Sequence, residues 1–175
     1  LCSLLLASLL TSIPATAAGP PAQIVISTPS TSISSDGVLQ MEATLYDALN
    51  NVADGEITWS ASNGTIEPSG LFFPWSAGQV TVRADHGGFN DTVVVTVVAG
   101  FGQSIEINTT EQPRAKFPFT LQANLIDSHD NPRPGNDVVW TVDGTYIGQG
   151  EPVWTPPSLG LYEVVARYDQ LEKQV

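Results

Sequence analysis

The sequence predicts an all-β protein made of two tandem β-sandwiches. Three observations carry this expectation. The chain repeats itself: "AGPPAQIVI" (18–26) returns as "AGFGQSIEI" (99–107), "LQMEATLYDALNN" (39–51) as "FTLQANLIDSHDN" (119–131), and "GQVTVRA" (78–84) as "GLYEVVA" (160–166). Such repetition marks duplicated structural units. Within each copy apolar residues alternate with polar or small ones, as in Leu39, Met41, Ala43 and Leu45, or Val80, Val82 and Ala84. A period of two belongs to half-buried strands. Turn dipeptides separate the runs: Asp54-Gly55, Asn63-Gly64, Ser69-Gly70, Gly87-Gly88 and Asp143-Gly144. No stretch beyond the first eighteen residues shows a capped helical repeat, and several short strands at regular spacing build a sandwich.

Residues 1–18, LCSLLLASLLTSIPATAA, carry no charge. The apolar part is too short to span a bilayer comfortably, which takes about 20 residues. It fits the apolar region of a secretory signal peptide, with the A-x-A pattern Ala15-Thr16-Ala17 behind Pro14. The basic start and the initiator Met are missing, so the chain reads as truncated at its N-terminus. A membrane anchor or a buried strand is the competing reading. Cys2, the only cysteine, falls in this segment. The mature chain would have no thiol, and export without disulfides suits a prokaryotic surface protein.

The first sandwich is expected over 19–99, a short linker at 100–102, and the second sandwich over 103–175. The linker Ala99-Gly100-Phe101-Gly102 is too short and too apolar for a free tether and reads as a semi-rigid head-to-tail joint. Val175 matches Val93, which predicts a second sandwich lacking most of its last strand, truncated at its C-terminus. Trp59 and Trp140 lie within strands and are expected to fill the core. A second Trp follows in each copy, Trp75 and Trp154, spaced so that they read as counterparts.

The chain of 175 residues has 18 acidic residues against 6 basic ones, a net charge of −12. That balance excludes the cationic surface needed to displace counterions from nucleic acid, and it disfavours anionic lipid. It suits a solvated, self-repelling coat.

The run "DALNNVADGEITWSASNGTIEPSGLFFPWSAGQVTVRA" resembles the bacterial immunoglobulin-like (Big-type) repeats of invasin- and intimin-like surface proteins. An Asp and an Asn-rich turn precede a strand ending in Trp59; Asn63-Gly64, Ile66, Gly70 and the Gly78–Ala84 strand follow. Copy two keeps this order. The resemblance covers nearly all of the chain after residue 18. It implies Ig-like sandwiches in extracellular arrays, whose uses range from stalks and spacers to appendages of secreted enzymes. The Cys…Trp…Cys pattern of antibody-type domains is absent.

Candidate sites are few. Trp75 and Trp154 would either cap the sandwiches or serve as platforms for sugar stacking. The loops Asp47-Ala-Leu-Asn50-Asn51 and Asp127-Ser-His-Asp130-Asn131 gather oxygen atoms; Asp127, Asp130, Asn131, Asp47 and Asn50 are candidate calcium ligands. Asx-rich turns bond their own backbone and explain the same residues without a cation. Ser128-His129-Asp130 holds the residue types of a catalytic triad, but neither His86 nor His129 belongs to a nucleophile-elbow or zinc-protease motif. Two histidines and no mature cysteine disfavour structural zinc. Asn63, Asn90 and Asn108 open N-glycosylation sequons.

These features predict a non-catalytic structural or adhesive module of an exported cell-surface protein, a stalk or spacer of stacked repeats without a cofactor. Its partners would be neighbouring repeats and surface glycans or proteins. The second reading is an accessory carbohydrate-binding or spacer region of a secreted hydrolase whose catalytic domain lies beyond residue 175.

Overall fold

The computed structural model describes residues 18–108 and 113–175. All of the leader-like segment except Ala18 lies outside the described residues. The described chain is all-β, as two Ig-like sandwiches.

The first sandwich runs through β1 (Pro21–Ser27), β2 (Ser32–Ser34), β3 (Leu39–Gln40), β4 (Glu42–Asp47), β5 (Val52–Ala53), β6 (Thr58–Ala61), β7 (Thr65–Ile66), β8 (Leu71–Phe73), β9 (Gly78–His86) and β10 (Phe89–Val98). Its sheets have the orders β1-β4-β5, β2-β10-β9-β6 and β3-β8-β7. The second runs through β11 (Ser104–Ile107), β12 (Phe119–Thr120), β13 (Ala123–Ile126), β14 (Pro132–Pro134), β15 (Val139–Val142), β16 (Thr145–Gln149), β17 (Val153–Trp154), β18 (Val164–Tyr168) and β19 (Leu171–Gln174). Its sheets are β11-β13-β14, β12-β17 and β16-β15-β18-β19. The last strand, β19, has 4 residues where β10 has 10. The prolines of β14 sit on an edge strand, where a missing N–H costs no ladder bond.

The period of two sets the faces. In β9 Val80, Val82 and Ala84 point inward while Gln79, Thr81 and Arg83 face solvent. The run Val93–Val98, continuous in sequence, resolves the same way: Val95 and Val97 are buried, and Val94 and Val98 are about half-exposed at 48% and 50%. Two hairpins close on turns with both central residues at positive φ, Gly87-Gly88 (53° and 96°) and Asp143-Gly144 (46° and 75°). These are the primed turns whose twist matches that of the flanking strands.

The first sandwich buries two clusters, one around Phe72, Met41, Val80, Val82 and Val95 and a smaller one around Ile24, Leu45 and Ala84. Trp59 packs on both and stays half-buried. The second sandwich has one cluster centred on Trp140, which is fully buried and donates from Nε1 to the Gly150 carbonyl at 2.9 Å. The core expectation holds in full for Trp140 and in part for Trp59.

The second pair of tryptophans is a false echo. Leu39 of β3 faces Phe72 of β8, and Phe119 of β12 faces Trp154 of β17. Trp154 therefore stands where copy one has Phe72, and Trp75 falls in register with Pro157. The second copy is two residues longer between its turn and the strand that matches β8 (Asn63 to Phe72 against Asp143 to Trp154), which brought the two tryptophans to within one residue of register from the turn. Trp154 packs against the core and meets Tyr162 edge-on, with ring centroids 5.0 Å apart.

Candidate functional site at the joint between the sandwiches

The two loops rich in Asp and Asn adopt one conformation. In each, the first Asp accepts a backbone bond from the fourth residue and donates one to the carbonyl of the fifth: Asn50 N to Asp47 O, Asp47 N to Asn51 O, then Asp130 N to Asp127 O, Asp127 N to Asn131 O. The fourth residues, Asn50 and Asp130, have φ of 62° and 60°. Asn and Asp tolerate this left-handed region better than other side chains, which accounts for both without a cation.

In the second sandwich this loop is the joint. Asp127, 4% exposed, takes three donors on each carboxylate oxygen. Oδ2 accepts from Ser35 Oγ (2.5 Å), Gly100 N (2.8 Å) and Asn131 Nδ2 (2.9 Å). Oδ1 accepts from His129 N (2.8 Å), Asn131 N (2.8 Å) and more weakly Asn131 Nδ2 (3.2 Å). One carboxylate thus ties the first sandwich, the linker and the second sandwich together. Asn131 adds a two-way contact with the first sandwich, donating to the Trp75 carbonyl and accepting from Ala77 N, both at 2.7 Å. On the outer side Asp36 accepts from Phe101 N (2.7 Å) and Ser128 Oγ (2.9 Å). Gly100 allows this closeness, since a Cβ there would collide with the Asp36 carboxylate.

Burial pushes the Asp127 carboxyl up, and the bonds from Ser35, Gly100 and Asn131 outweigh it and hold the group well below the usual carboxylate range. Asp47 is lowered from 3.8 to about 2, chiefly by the Gly19 N–H, then by the Asn51 side chain and backbone and Leu49 N.

Asp36, Asp127 and His129 bring ligand atoms within 4.8 Å of one another. The donors listed above already occupy the Asp127 lone pairs that a cation would need, so the arrangement works as a hydrogen-bonded staple. The same corner holds a Ser, a His and an Asp, with Ser128 Oγ 3.1 Å from His129 Nδ1 and Asp36 Oδ1 3.7 Å from it. Both neighbours face the same ring nitrogen. A proton relay needs the hydroxyl on one nitrogen and the carboxylate on the other, so this geometry does not assemble one.

The remaining sequence-predicted residues lie apart. Trp75 is half-exposed beside the joint. Asn63 is held by Ser76, whose N–H it accepts at 3.1 Å, while Asn90 is exposed at the start of β10. Asn108 donates its backbone N–H to Gln122 O at 2.9 Å. Sequence reading placed Gly100 in the joint but missed Ser35, Asp36 and Ala77. The paired signal was there in part, since Gly19 and Gly100 occupy the same place in the two copies.

No protein-family model matches the chain, and no curated protein matches it. Among solved structures it is similar to domains 1–6 of the surface layer protein SbsC, at 18% identity and a TM-score of 0.40, over 90% of this chain and 27% of that one. It is similar to FdeC, an Escherichia coli adhesin, at 17% identity and a TM-score of 0.49, over 83% of this chain and 59% of that one. Invasin, a bacterial integrin-binding protein, matches at 15% identity and a TM-score of 0.44, over 88% of this chain and 39% of that one. The chain spans less than two thirds of each of these proteins.

Proposed function

We propose that the chain is a non-catalytic spacer of an exported, cell-surface protein, in which Ig-like repeats are stacked through stiff joints to hold another part of the protein away from its base or to take part in adhesion. The observation that carries this reading is the Asp127 staple. A linker that merely connects two domains leaves its backbone to water. Here Gly100 and Phe101 donate to buried or paired carboxylates, and the loop 127–131 reaches back to Ser35, Trp75 and Ala77. Bonds to charged acceptors contribute about 1.5–3 kcal/mol each when buried, enough to bias the joint strongly to one arrangement. The resemblance to bacterial Ig-like repeats, the charge-free leader-like start and the absence of cysteine after Cys2 support the surface setting.

Small-angle scattering tests the mechanical claim. The wild-type chain is expected to scatter as a single shape of fixed inter-domain distance, and Asp127→Ala to broaden that distance distribution. A wild-type profile already as broad as the variant's would overturn the spacer reading.

A further inference from the structure

The loop around Asp47 repeats the Asp127 staple with one donor missing. Its Oδ1 accepts from Leu49 N (2.8 Å), Asn51 N (2.9 Å) and Asn51 Nδ2 (3.3 Å), matching the set on Asp127. Its Oδ2 accepts from Gly19 N (2.8 Å) and Asn51 Nδ2 (3.0 Å), as Asp127 Oδ2 does from Gly100 and Asn131. Among the described residues, the hydroxyl that Ser35 brings to Asp127 has no counterpart at Asp47. Asp47 is nevertheless only 5% exposed, and among the described residues its Oδ2 has two donors where Asp127 Oδ2 has three. Ahead of Gly19 the sequence offers the uncharged stretch ending SIPATAA, with Thr16 and Ala18 as the small residues three and one positions before a cut at Gly19.

We propose that Asp47 is the receptor for the mature N-terminus, binding the α-ammonium of Gly19 after a leader peptidase hydrolyses the Ala18–Gly19 bond. The proposal rests on the export reading above. Water adds across the amide: Ala18 leaves with a carboxylate, and the Gly19 nitrogen becomes –NH3⁺. Where the amide has one N–H, the ammonium has three. One keeps the existing bond to Oδ2, and the other two are left to water. The positive charge also faces the carboxylate directly, a charge-assisted pairing stronger than the amide makes. A cut one residue earlier, after the Ala17 of the A-x-A pattern, would leave Gly19 as an amide and carry the charge one residue away. With the Gly19 nitrogen 2.8 Å from Oδ2, the later cut is the one that puts the charge on the atom Asp47 already holds.

The test is the intact mass of the full chain, given an initiator Met and a basic start ahead of Leu1 and secreted by a bacterial host, followed by acylation of its α-amine at neutral pH. An N-terminus at Gly19 is expected. An N-terminus at Ala18 overturns the capture and leaves the export reading standing; a product that retains residues 1–18 overturns both. The Gly19 amine should acylate about tenfold more slowly than in Asp47→Asn, because a carboxylate partner that raises an amine's pKa by one unit cuts the free amine tenfold. A protein with one Ser inserted before Gly19 keeps Asp47 intact and should also react fast, which covers failure of Asp47→Asn to fold. Equal rates in wild type and the insertion variant would overturn the proposal.

Discussion

Loops 47–51 and 127–131 share a backbone, an initial Asp and a final Asn, yet among the described residues only 127–131 reaches a second sandwich. Asn131 is 6% exposed and bonds Trp75 and Ala77 of the neighbouring sandwich, whereas Asn51 is only half-buried and its side chain bonds Asp47. The difference comes from what sits opposite. The far end of the first sandwich supplies Ser35 and Asp36 to loop 127–131, whereas among the described residues Gly19 is what meets Asp47 from outside its own loop. The loop is a general connector, and the partner surface decides whether it connects. The two copies of the core Trp teach a similar lesson. Trp140 is enclosed by a single cluster and finds a carbonyl for its indole N–H, while Trp59 bridges two clusters and stays partly open.

The largest break in that comparison is expected at the tryptophans. Trp140→Ala should cost about 4 kcal/mol, the range for a large aromatic removed from a core, with an orphaned Gly150 carbonyl included. Trp59→Ala should cost about half as much, in proportion to its lower burial. Denaturant unfolding of the two variants checks this; equal losses would mean that the two cores are packed alike.

Next in size is the staple. Asp127→Ala should lower stability by about 3 kcal/mol, because Ser35, Gly100 and Asn131 lose a shared buried acceptor. Asp47→Ala should cost less, having no hydroxyl from a neighbouring sandwich to strand. Thermal melts of both variants make the comparison, and a larger loss for Asp47 would reverse the ranking of the two loops.

The smallest effect is with pH. Both carboxyls have folded pKa values below the unfolded value of about 3.9. The stability they contribute is complete above that value and is lost as pH falls through the folded values: from about 4 to about 2 for Asp47, and further down for Asp127. Melting temperature followed from pH 5 to 2 should fall, and Asp127→Asn should flatten the lower part of the curve. A wild-type curve that is flat over this range would contradict the carboxylate assignments.

Much of the fold was legible because strand faces and turns are local. Alternation places Val80, Val82 and Ala84 on one side whatever lies above them, and Gly87-Gly88 or Asp143-Gly144 close hairpins through their own φ preferences. The joint was legible only in outline. The linker's shortness predicted a stiff connection, and the Asp-Asn loops stood out, but their residue types fit a cation site as well as a turn. Ser35 and Asp127 are 92 residues apart, and nothing in either neighbourhood announces the other. The tryptophan pair misled for a related reason: identity at a near-constant spacing outweighed a two-residue insertion that only the strand partners of β8 and β17 expose.

The sequence by itself determined the class, the duplication, the strand faces and the turns, since these follow from periods and dihedral preferences within a few residues. The tertiary structure alone decided which carboxylate became a joint, which Trp became the center of a core and which aromatic replaced Phe72. Those outcomes depend on what a distant segment places opposite a group, and burial or donor count is a property of that meeting.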